Sequence, residues 1–171
     1  VDLMVAVIGK IGDCDVILST WSAGLRDAEV LRGLIETKRV TGFTMLVDRS
    51  FSSRHANYAE AIERKFGKGA IRTTNTHAKF VLLKNKDFAV TIKTSMNLNH
   101  NPRFETFDID ECGKIYAFFK SHVDELFDMM PEGFVESRAI VNPAFDKTLK
   151  DTFTVTDDRE FQFPVNSFSF G

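Results

Sequence analysis

Five side chains in the middle of the chain have the types and spacing for phosphoryl chemistry: His77, Lys79, Ser95, Asn97 and Glu105. In THAKFVLLK the polar His77 and Lys79 alternate with Ala78 and Phe80, so on an extended strand both point to one face. A second apolar run, FAVTIKT, ends at Ser95 and Asn97, and Glu105 follows within the same loop. One hairpin thus gathers an imidazole, an ammonium, a hydroxyl, a carboxamide and a carboxylate. A neutral imidazole can attack phosphorus, a lysine and an asparagine can hold the non-bridging oxygens, and a carboxylate can fix the imidazole tautomer. A lysine that supplies the positive charge removes the need for a metal. No other Asp, Glu, His or Cys grouping has ligand spacing, so the expectation is no metal and no cofactor.

The elements that must position these residues follow from periodicity. Residues 2–11 put Leu3, Met4, Val7, Ile8 and Ile11 on one helical face before the Gly12-Asp13 break. DVILSTW, residues 15–21, is a buried-strand run. Residues 25–40 carry Ala28, Leu31, Leu34 and Ile35 at helical spacing, GFTMLV (42–47) is a second strand, and 57–66 is a further amphipathic helix. Strand and helix alternate here, as in a parallel sheet with helices on its faces. Three close strands follow at 70–74, 78–83 and 88–94, the last two joined by a tight turn at Asn85-Lys86-Asp87. A strand at 106–109 precedes a long helix, 114–130, with Ile115, Phe118, Phe119, Val123 and Phe127 on its apolar face and Pro131 as its stop. The fold class is therefore α/β: a mixed central β-sheet flanked by helices on both faces.

The pattern HAK…TSMN…E resembles the HxK…(G/S)SxN…E signature of the phospholipase D, or HKD, superfamily. The surrounding strand–helix order is similar over residues 1–130, which would form the phospholipase D-like domain. The resemblance implies His77 as the nucleophile of a phosphohistidine intermediate, Lys79 and Asn97 as phosphate ligands, Ser95 beside them, and Glu105 orienting His77. Two positions depart from the pattern: Lys84 stands where the family has Asp, and Thr94 stands where Gly often precedes the serine. Some members cleave DNA without that Asp. A single motif copy implies a homodimer with a shared active site, because the family's chemistry uses two histidines.

Further substrate-binding candidates surround this core. Trp21 ends the first strand, on the side where α/β proteins form their crevice, although it serves equally as core. Arg49 and Arg54 bracket RSFSSR at a helix start, where an anion or simple capping by Ser52 or Ser53 would fit. His100 lies in the loop before Glu105. His122 reads as a helix-packing residue, and His55 has no chemical company. The basic run Arg64, Lys65, Lys68 and Arg72 is a solvated face unless it flanks the cleft.

Bulk properties narrow the substrate. The chain has 171 residues and a formal net charge of -2, so nucleic-acid binding must come from a local patch. Its two cysteines, Cys14 and Cys112, form no disulfide framework, and the apolar opening is too short to span a membrane. These features point to a cytoplasmic location. Small size, a single motif and no membrane-binding stretch favour a DNA nuclease over a lipase. The alternatives are a phospholipid or other phosphodiester hydrolase, and an inactive nucleic-acid-binding or assembly module. Residues 131–171 form an aromatic-rich extension, read as packing on the domain or on a partner.

Overall fold

The computed structural model describes residues 1–54, 56–99 and 103–135. Their order is α1 (Asp2–Ile11), β1 (Cys14–Thr20), α2 (Leu25–Glu36), β2 (Val40–Asp48), α3 (Ser50–Arg54), α4 (Ala56–Phe66), β3 (Ile71–Thr74), β4 (Phe80–Lys84), β5 (Ala89–Thr94), β6 (Phe107–Asp110) and α5 (Gly113–Met129). The strands form one six-stranded sheet in the order β3-β2-β1-β4-β5-β6. β1, β2 and β3 are parallel, and β4, β5 and β6 each run antiparallel to the preceding strand in the sheet. The fold is thus α/β with a mixed sheet.

Alternate residues along the strands build two apolar layers, as the period of two requires. Val16, Leu18, Met45, Val47, Val81 and Ile92 pack with Met4 and Ile8 of α1, Leu31 of α2 and Ile62 of α4. On the opposite face Ile17, Leu46 and Leu82 pack with Tyr116 and Val123 of α5. The helical face read for α1 is the buried one, with Met4 and Ile8 nearly inaccessible. On α5 the stripe differs from expectation: Tyr116 is buried and Phe118 is 61% exposed. Tyr116, Phe119, Val123 and Phe127 keep the i, i+3, i+4 spacing, rotated from the stripe that included Phe118.

Two boundaries also differ. The helix expected to reach residue 40 ends at Glu36, where Thr37 Oγ1 donates to Gly33 O at 2.7 Å and Lys38 turns the backbone to φ 58. Val40 then pairs with Cys14 and opens β2. The second difference concerns the motif. β4 starts at Phe80, so His77 and Lys79 precede the strand on which they were expected.

The described beginning of the extension packs on this domain. Thr73 Oγ1 donates to Gly133 O at 3.0 Å, and the rings of Phe51 and Phe134 lie 5.5 Å apart. Residues 136–171 of the expected extension lie outside the described residues. Cys14 is buried and Cys112 half-buried, both as free thiols. Among the described residues no helix is long and apolar enough to cross a membrane.

Candidate functional site

The carboxyl ends of β1, β2, β3 and β5 and the amino ends of β4 and β6 lie at one end of the sheet, as their relative directions require. From the end of β3 the chain crosses the ends of β2 and β1 and enters β4. Three anchors hold that crossing. Thr76 N donates to Asp48 Oδ2 at 3.2 Å, Ser19 Oγ donates to Ala78 O at 2.9 Å, and Thr94 N donates to Lys79 O at 3.0 Å. His77 is therefore presented from a segment fixed on both sides, and its ring is exposed.

Lys79 Nζ lies 2.9 Å from His77 Nδ1 and donates to His77 O at 2.7 Å. The Trp21 ring stands 5.5 Å from the His77 ring. Burial lowers the Lys79 pKa below the usual lysine range, while the carboxylates of Glu105 and Asp48 push it back up. Both acids thus lie within electrostatic reach of the ammonium.

The β5–β6 loop carries the remaining motif residues and is stitched to the β1–α2 loop. Leu98 N donates to Ser22 O at 3.1 Å, Gly24 N donates to Leu98 O at 2.6 Å, and Asn99 Nδ2 donates to Ser22 Oγ at 3.1 Å. Within the loop, Ser95 Oγ donates to Glu105 and accepts from Thr106 N at 2.9 Å. Thr94 Oγ1 donates to Thr106 O and accepts from Met96 N, both at 3.0 Å. The two hydroxyls close the loop. The carboxylate expected to orient His77 receives Ser95 instead, and the group beside the imidazole is Lys79. Asn97 Oδ1 is buried with no hydrogen-bond partner among the described residues. Asn97, Thr94, Glu105 and Arg103 line a cavity of about 350 Å³, to which His77 and Lys79 do not contribute.

Lys84 is exposed and occupies the far end of β4, paired in register with Asp15 and Ala89. Asp87 lies beyond it in the β4–β5 turn, where Asn85 Oδ1 accepts from Asp87 N at 3.0 Å. Neither residue reaches His77. Arg49 is half-buried and its backbone N donates to Thr74 O at 2.9 Å. The side chain of Arg54 and all of His100 lie outside the described residues. His122 Nδ1 lies 2.8 Å from Phe118 O on α5, away from these groups. The basic run does not flank the site. Lys65 pairs with Glu29, and Arg72 is buried at the amino end of β3, donating to Phe127 O and Gly69 O.

The sequence reading passed over Asp48, which is buried at the end of β2 and accepts from Ser50 N at 2.9 Å as well as from Thr76. An aspartate closing an apolar strand was the available signal. Among the described residues no group of three His, Cys, Asp or Glu could hold a metal ion. No family model matches the chain, and no curated protein matches its sequence.

Proposed function

We propose that this chain is a phosphodiesterase of the phospholipase D type that cleaves nucleic acid, with DNA as the preferred substrate and His77 as nucleophile. The observation that carries the reading is the meeting of Lys79 Nζ with His77 Nδ1 at 2.9 Å, on a segment anchored across the strand ends. An ammonium and an imidazole this close favour an anion beside them, and the carboxylates of Glu105 and Asp48 favour the charged form of the ammonium. A bound phosphodiester takes the hydrogen bond of Lys79 and frees the imidazole. A histidine nitrogen then attacks phosphorus, and the bond to the leaving oxygen breaks as that oxygen takes a proton. Water next attacks phosphorus and gives its proton to the imidazole that protonated the leaving oxygen. The phosphorus–nitrogen bond breaks, which returns the electron pair to His77.

The proton for the leaving group comes from a second imidazole, supplied by His77 of another copy across a two-fold axis. The absence of Asp at position 84 does not weigh against this chemistry, because Lys84 is at the opposite end of β4 from Lys79. Plasmid and single-stranded DNA, incubated with the protein in EDTA, test the reading. Cleavage that disappears in His77→Ala supports it. Cleavage that needs added Mg²⁺, or that survives His77→Ala, overturns it. Light scattering should give a dimer, and an active monomer would refute the shared site.

A further inference from the structure

Beside the His77–Lys79 pair the structure has a second compartment, which shares Asn97 and Glu105 with the candidate phosphate site. The cavity of about 350 Å³ begins where the anchors of the His77 segment end, since Ser19 and Thr94 also line it. Its floor includes Leu18, Val81 and Ile92, which are cross-strand neighbours on β1, β4 and β5 and so form a flat apolar row. Met4 of α1 adds a further apolar contact to the lining. A cavity of this size and make-up fits a small organic ligand better than a hydrated ion.

The polar groups of the lining include the carboxylates of Asp2, Asp27 and Glu105. Asp27, in the first turn of α2, is only 7% exposed and lines this cavity. A carboxylate that faces a cavity accepts hydrogen bonds from donors that a ligand brings. Asn97 Oδ1 is a buried acceptor without a partner among the described residues. Arg103 supplies donors at the exposed rim.

From this juxtaposition we infer that the cavity is a base-recognition pocket that takes a flat ring with adjacent hydrogen-bond donors, of which guanine is the natural match. Guanine offers N1–H and its exocyclic amino group side by side, so a carboxylate accepts both at once. Adenine and cytosine place a ring acceptor beside their amino group and would set it against the carboxylate. The ring plane lies on the Leu18–Val81–Ile92 row, and O6 faces the Arg103 donors. This inference rests on the nucleic-acid reading of the neighbouring site, and it assigns the base next to the cleaved phosphate.

Calorimetric binding of free nucleosides isolates the pocket from the phosphate site. Guanosine should bind more tightly than inosine, which lacks the amino group, by roughly ten- to a hundredfold, and adenosine and cytidine should bind no better than inosine. Asp27→Asn should remove the guanosine preference while inorganic phosphate still binds. Should that variant not fold, the nucleoside series on the unaltered chain decides alone. Equal binding of all four nucleosides overturns the inference, and so does choline or another organic cation displacing guanosine at lower concentration. Guanosine preference without DNA cleavage would leave the pocket standing and remove the nuclease reading. Cleavage with no base preference would do the reverse.

Discussion

Lys79 Nζ sits 2.9 Å from His77 Nδ1 while burial holds its pKa below the usual lysine value. A protonated lysine has only donors, so a ring nitrogen that meets it does so as the acceptor. Deprotonation of Lys79 removes the charge that would hold a phosphate. Affinity for inorganic phosphate should therefore be full at neutral pH and fall on an alkaline limb that begins below about 10.4, the ordinary lysine value. The same depression makes the native state bind fewer protons than the unfolded chain in that window, so the lysine's unfavourable effect on stability eases as pH rises. Lys79→Arg should move the limb up and out of the accessible range. A phosphate affinity independent of pH up to 10.4 in the unaltered protein would remove Lys79 from the site.

Substitutions along β4 and the β5–β6 loop should separate the site from the rest of the hairpin. Lys84→Ala should leave cleavage within about twofold, because the side chain is exposed at the far strand end. Asn97→Ala and Glu105→Ala should each lower the rate by roughly 10²–10³, as the loss of a preorganised partner of the transition state does. Steady-state kinetics of the three variants decide this, and an equal loss in Lys84→Ala would place the phosphate elsewhere.

Arg72 should prove structural. Its buried guanidinium donates to Phe127 O at 3.2 Å, Gly69 O at 3.0 Å and Ile71 O at 2.9 Å, and it lies 4.5 Å over the Phe127 ring. These contacts tie β3 to the end of α5. Arg72→Ala leaves buried carbonyls without a donor and should cost about 3 kcal/mol in urea unfolding. Arg72→Lys should recover little, since an ammonium cannot reproduce the planar fork.

Local pattern carried much of the fold. The i, i+4 repeat of Met4 and Ile8, the apolar runs of β1 and β2, and Pro131 after α5 all act between near neighbours. On α5 the pattern alone could not choose between Tyr116 and Phe118, because both continue an apolar stripe and only the sheet beneath selects one. The motif residues were legible as chemistry but not as geometry. Alternation placed His77 and Lys79 on a strand, whereas bonds from Asp48 and Ser19, far away in sequence, hold them in a crossing before it. Asp27 was not legible at all: an acid in the first turn of a helix is ordinary, and only the fold brings it to the wall of the cavity.

The most direct measurement is intact-protein mass spectrometry of a reaction with a short DNA oligonucleotide, quenched in alkali to preserve a phosphorus–nitrogen bond. The account predicts a transient adduct carrying one product fragment, mapped to His77 and absent from His77→Ala. Turnover with no adduct at any time, together with an unchanged rate in His77→Ala, would contradict it.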